Sequence, residues 1–150
     1  MKIAFVCTAN VCRSPLSEGY FKLLMQSHPR AAEIDVCSAG IMALNGSPAF
    51  ECSIAVGRQY GFDLSKHRAQ QLDLELASQA ERILFMETWQ VARFLSSFPQ
   101  FSEKAMLLGA FHPSGTRLLQ IPDPRTFTTP ETLKTFQLIK ASIESIIGSL

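Results

Sequence analysis

Four short apolar runs, at residues 2–6, 34–37, 82–86 and 105–108, alternate with stretches whose apolar residues recur at helical spacing. This alternation constrains the fold more than any other feature of the chain. Strands joined through helices imply a parallel sheet, and a parallel sheet is covered on both faces. The expected fold class is therefore α/β, a single three-layer domain over residues 1–150. The helix signals are local. Ser14-Pro15 reads as a start, with Ser at the N-cap and Pro at the first helical position. Leu16, Tyr20, Leu23 and Leu24 then share one face. Asn45-Gly46-Ser47-Pro48 is turn chemistry opening a helix that runs to about Tyr60 and stops at Gly61. Residues 88–97 form a helix ending before Pro99. Thr129-Pro130 opens a last one, with Leu133, Phe136, Ile143, Ile146 and Ile147 as its apolar face.

Composition narrows the function. At 47% apolar, 150 residues suffice for a continuous core. A net charge of +1 gives no argument for nucleic acid or a membrane surface as partner, so any anion site must be local. No segment is long and apolar enough to span a bilayer, and the short run before Cys7 is no signal peptide. The chain is therefore expected in the cytoplasm. Four cysteines (Cys7, Cys12, Cys37, Cys52) are too few for a disulfide scaffold, and in a reducing compartment a conspicuous Cys points to chemistry. Cys37, in a strand, and Cys52, in a helix, read as packing residues. No His, Cys and carboxylate group has metal-ligand spacing, so neither metal nor other cofactor is expected.

The chemistry is concentrated in Cys7-Thr8-Ala9-Asn10-Val11-Cys12-Arg13-Ser14-Pro15, between the first strand and the first helix. Ligands of open α/β sheets bind at the C-terminal ends of strands. A helix N-terminus offers unpaired N–H groups and the positive end of its dipole, and successive loop amides form an anion-binding concavity. A Cys there reacts as its thiolate. Arg13 adds a planar fork matching two phosphate oxygens. Cys-x5-Arg alone is common by chance, and a free Cys is most often a small core residue. The strand before the loop and the helix start after it shift the balance to a phosphate or oxyanion site. The loop lacks the Gly-Lys-Ser/Thr ending of a Walker A motif.

These residues resemble the low-molecular-weight protein tyrosine phosphatases, whose loop is Cys-x-Gly-Asn-x-Cys-Arg-Ser followed by Pro. The chain matches at Cys7, Asn10, Cys12, Arg13, Ser14 and Pro15 and departs at Ala9. The resemblance continues through Ser38-Ala39-Gly40, Gly46-Ser47-Pro48, Ser65-Lys66-His67-Arg68-Ala69, residues 83–87 and Pro122-Asp123-Pro124. Gln70 stands where the family usually has Arg, and Glu87 where it has Asp. The segments 38–48 and 121–124 look closest to bacterial members that act beside exopolysaccharide tyrosine kinases.

The resemblance implies a four-stranded parallel sheet in the order 2-1-3-4, with the phosphate-binding loop after strand 1. It implies a phosphotyrosine protein substrate, with a bacterial tyrosine kinase as a further partner. Cys7 would be the nucleophile, Arg13 the phosphate clamp and Asp123 the general acid and base. Thr8, Ala9, Asn10, Val11, Cys12 and Ser14 would complete the cradle. Asn10 would take the left-handed conformation, Ser14 would donate to the thiolate, and Ser38 and His67 would brace Asn10. Cys12 would form a reversible disulfide with Cys7. Leu44, Arg125 and Phe127 are the expected substrate wall, and Phe127 reads equally as core. Two other activities occur on this scaffold. Arsenate reduction needs further cysteines near the third strand, and residues 70–108 contain none. Arginine phosphatases carry Thr where this chain has Val11, an apolar residue suited to lie against an aromatic ring. A non-catalytic phosphate-binding module is disfavoured by intact Cys7, Arg13 and Asp123.

Overall fold

The structure is a computed structural model that describes residues 1–115 and 119–150. Residues 116–118, within the expected Gly-, Pro- and Ser-rich loop before Asp123, lie outside the described residues. The elements are β1 (Lys2–Cys7), α1 (Arg13–Met25), β2 (Asp35–Gly40), α2 (Glu51–Gln59), α3 (Leu74–Gln79), β3 (Arg82–Phe85), α4 (Thr88–Ser97), β4 (Ala105–Leu107) and α5 (Thr129–Gly148). The four strands form one sheet in the order β2-β1-β3-β4, with every pairing parallel. This is the topology the resemblance implied.

Alternation along β1 builds the core. Ile3, Phe5 and Cys7 face a cluster with Leu16 and Phe21 of α1, and Phe136, Ile139 and Ile143 of α5. Ala4 and Val6 face the opposite cluster with Ile83, Phe85, Leu76, Ala77 and Phe94. Both faces of the central strand are thus sealed, which is why residues 2–6 read as an unbroken apolar run.

Three details differ from the sequence expectations. Helix α1 begins at Arg13, with Cys12 rather than Ser14 at its N-cap. Pro15 is third in the helix, which costs no bond because the first amides of a helix have no internal acceptor. Helix α2 starts at Glu51, since Ser47 and Phe50 are drawn into long-range bonds: Ala69 N–H donates to Ser47 O and Phe50 N–H to Val11 O. The short helix α3 was not expected; Asp73 caps it by accepting from Leu76 N–H at 2.9 Å.

Candidate active site

The loop after β1 is turned by Asn10, the one described non-glycine residue with positive φ, at 59°. Asn tolerates this left-handed backbone better than most residues. Ala9 has no such φ, so the departure from Gly carries no backbone strain. The carbonyls of Cys7, Thr8, Asn10, Val11 and Cys12 all accept from outside the loop: from Ile41 N, Met42 N, His67 Nε2, Phe50 N and Leu16 N. In a trans peptide the C=O and the next N–H are antiparallel. Outward carbonyls therefore turn the amides of Thr8, Ala9, Val11, Cys12 and Arg13 away from those partners, toward the loop interior. Backbone amides so arranged can cradle an anion. Gly40 is required behind it, because a Cβ there would lie 2.7 Å from Thr8 O.

One flank of the loop is held by a chain of side-chain hydrogen bonds. Asn10 is fully buried. Its Oδ1 accepts from Gln70 N–H at 2.9 Å, which fixes the amide's orientation. Its Nδ2 donates to Ser14 Oγ at 2.8 Å and to Ser38 Oγ at 3.0 Å. Ser38 donates onward to Glu18 Oε2 at 2.5 Å. Ser14 thus accepts from Asn10 and keeps a single proton, aimed at Cys7 Sγ at 3.0 Å or Ala39 O at 3.3 Å. A thiolate is the stronger acceptor of the two. His67 Nε2 lies 2.7 Å from Asn10 O.

The other flank is charged. The Arg13 guanidinium is fully buried. Its Nη1 donates to Glu87 Oε2 and to Ile121 O, both at 2.8 Å, and its Nη2 to Thr8 Oγ1 at 3.3 Å. Nε lies 3.0 Å from Asp123 Oδ1, but off the N–H axis, so this is an ion contact rather than an aligned hydrogen bond. The Asp123 side chain is half exposed. Glu87 also caps α4 in a box with Gln90, whose Oε1 accepts from Met86 N–H and Glu87 N–H. Gln90 is fully buried, and its Nε2 reaches Thr8 Oγ1 at 3.1 Å.

The fold therefore brings Cys7, Thr8, Asn10, Arg13, Ser14, Ser38, His67 and Asp123 into one connected cluster. Leu44 and Arg125 lie exposed, and Val11 is almost covered. Phe127, which read equally as core, is 50% exposed and stacks edge-on against Phe50. Cys12 is buried, and burial pushes its thiol up to about 12, with the Ser53 hydroxyl pulling the other way. Sequence reasoning missed Glu18 and Gln90; Glu87 was visible as a departure from the family pattern, without its partner Arg13. Among the described residues no group of three His, Cys, Asp or Glu is placed to hold a metal, and no helix is long and apolar enough to cross a membrane.

Comparison with known proteins places this geometry. The sequence model of the low molecular weight phosphotyrosine protein phosphatase family matches residues 2–150. The chain is 41% identical over 107 residues to the probable low molecular weight protein-tyrosine-phosphatase EpsP of Ralstonia nicotianae, covering 71% of this chain and 70% of that protein. The solved low molecular weight protein tyrosine phosphatase of T. tengcongensis superposes with a TM-score of 0.89 at 29% identity, over 100% of this chain and 99% of that one. The YwlE arginine phosphatase of Geobacillus stearothermophilus superposes with a TM-score of 0.86 at 25% identity, over 99% of this chain and 91% of that one. With residues 2–150 matched by the family model, the chain belongs to the low molecular weight phosphotyrosine protein phosphatase family.

Proposed function

We propose that the chain hydrolyses phosphotyrosine in proteins through a phosphocysteine intermediate. The observation that carries this reading is the Cys7 sulfur: it ends β1, 3.0 Å from the Ser14 hydroxyl, beside a loop in which the carbonyls of Cys7, Thr8, Asn10, Val11 and Cys12 turn outward. The substrate phosphate enters the cradle and takes the Arg13 edge formed by Nε and Nη2, displacing Asp123 from Nε. Asp123, freed from Arg13, takes a proton from solvent; the Cys7 thiolate attacks phosphorus, the bond from phosphorus to the phenolic oxygen breaks, and Asp123 gives that proton to the leaving phenolate. Water then attacks the phosphocysteine and Asp123 takes back a proton. The P–S bond breaks, inorganic phosphate leaves and the thiolate returns, stabilised again by Ser14. Loop amides and Arg13 stabilise charge at the equatorial oxygens throughout.

Val11 favours an aryl group over a guanidinium, because it offers no hydrogen bond to the N–H groups of phosphoarginine. The partner would be a bacterial tyrosine kinase or its substrates in the cytoplasm. Cys12, protonated at neutral pH, would act as a resolving thiol only after Cys7 has been oxidised to the sulfenic acid. It would then close a Cys7–Cys12 disulfide with loss of water.

The test is turnover of phosphotyrosine, phosphoserine and phosphoarginine peptides in the presence of a chelator. Phosphotyrosine should be strongly preferred. Cys7→Ser should abolish turnover while still binding vanadate. Preference for phosphoarginine, or substantial turnover by Cys7→Ser, overturns the reading.

A further inference from the structure

Asp123 stands on a stiff lever. Pro122 and Pro124 flank it, and each ring fixes its own φ and restricts the residue before it. Residues 121–124 therefore turn as one piece. Among the described residues, no backbone-to-backbone hydrogen bond holds residues 122–127. The aim of the Asp123 carboxyl is thus set at the root of the lever, at residues 120 and 121. Ile121 is fully buried, its N–H donates to Met86 O at 2.8 Å, and its carbonyl accepts from Arg13 Nη1 at 2.8 Å. Gln120 adds a further fastening. Its Oε1 accepts from Thr88 N–H and from Thr88 Oγ1, both at 2.9 Å. Thr88 is the first residue of α4, and the N-cap before it, Glu87, holds Arg13. Gln120 thereby takes up a first-turn amide that has no acceptor inside its own helix. As a helix cap the bond is worth little, because Thr88 and Gln120 are exposed and water serves the same donors. Water does not tie residue 120 to a fixed point. The Gln120 side chain does, and it joins the root of the lever, the start of α4 and the phosphate clamp in one frame.

We infer that Gln120 is a positioning residue for Asp123: it holds the root of the Pro-Asp-Pro lever against α4 and so aims the carboxyl at the leaving oxygen. Asp123 has to leave Arg13 Nε when phosphate enters, and a root that stays fixed makes that swing reproducible. This inference rests on the phosphotyrosine reading and deepens it.

Gln120→Met removes the acceptor and keeps the length of the side chain. Its kcat/KM for a phosphotyrosine peptide should fall about 3- to 10-fold. Its kcat/KM for nitrophenyl phosphate, whose leaving group needs no proton, should not change. Inhibition by inorganic phosphate should also stay at the wild-type value, because the clamp is intact, and Tm should stay near wild type. Gln120→Glu keeps an acceptor for both Thr88 donors and should restore the phosphotyrosine rate. Added to Asp123→Asn, Gln120→Met should cost nothing more, since the group it aims no longer carries a proton. An unchanged phosphotyrosine rate in Gln120→Met overturns the inference, and so does a Gln120→Glu variant that is equally slow. An equal loss on both substrates, or a further loss in the Asp123→Asn background, also overturns it, because either puts the effect on the clamp or the fold rather than on the acid. A wild type that does not turn over phosphotyrosine overturns the phosphatase reading, and this inference with it; failure of the Gln120 variants alone leaves that reading standing.

Discussion

The two flanks of the loop around Cys7 are built from different physics. Toward β2, Asn10, Ser14, Ser38, His67 and Gln70 close a chain of short hydrogen bonds in which each donor has an acceptor. Toward β3, a buried guanidinium meets two carboxylates, Glu87 at 2.8 Å and Asp123 at 3.0 Å, so the local formal charge is +1 against −2. The hydrogen-bonded flank is satisfied without a ligand. The charged flank carries one carboxylate in excess, and only the half-exposed Asp123 is free to move. Shape is therefore set on one side, and the response to an anion on the other.

The largest expected effect tests that division. Asp123→Asn should lower kcat about 10²- to 10⁴-fold on phosphotyrosine, and far less on nitrophenyl phosphate, whose leaving group needs no proton. It should also bind inorganic phosphate more tightly, because the competing charge at Arg13 Nε is gone. Its Tm should stay near wild type, since the carboxylate is half exposed. Inhibition constants for phosphate in both proteins decide the point. Weaker inhibition of the variant would mean that Asp123 does not compete for the clamp.

A smaller loss of rate, with a larger loss of stability, is expected on the hydrogen-bonded flank. Asn10→Ala leaves the buried Ser14 and Ser38 hydroxyls without their donor, at about 1–3 kcal/mol for each, and the part-buried Gln70 N–H without its acceptor. It also puts a Cβ-bearing residue with no local hydrogen bond at φ 59°. Thermal melts should show a drop of several degrees, with activity reduced in step. A variant that melts like wild type would show that outward carbonyls alone hold the loop.

The sequence was most legible where local signals agree with the fold. The apolar runs of β1 and β3 are buried on both faces and could hardly be anything else. The loop was legible because its meaning is local, from strand end to helix start. Legibility stops where one residue serves two masters. Ser14 looked like an N-cap, yet its hydroxyl is spent on Asn10 and Cys7, and Cys12 takes the cap position with no side-chain capping bond. Gln90 looked like an ordinary polar helix residue. Its burial follows from contacts with Thr8, 82 residues away in sequence, which no periodicity reports.

The smallest expected effect lies where the charged network reaches the loop itself. Thr8 Oγ1 accepts from Arg13 Nη2 at 3.3 Å and from Gln90 Nε2 at 3.1 Å, so one hydroxyl ties the clamp to the start of α4. Replacing Gln90 would confuse the question, because its Oε1 also holds the Met86 and Glu87 amides and the helix start would suffer. Thr8→Val keeps the shape and removes only the hydroxyl. Thr8 is half-buried, so water can satisfy the donors it releases, and stability should change little. What is lost is the orientation of Nη2, the guanidinium nitrogen that Glu87 and Asp123 leave unclaimed. One neutral hydrogen bond is worth about 0.5–1.5 kcal/mol, so kcat/KM should fall roughly 3- to 10-fold. The loss should be the same for phosphotyrosine and nitrophenyl phosphate, because the phosphate and not the leaving group is affected. A loss confined to phosphotyrosine would instead tie Thr8 to the protonation step and move the boundary between the two flanks.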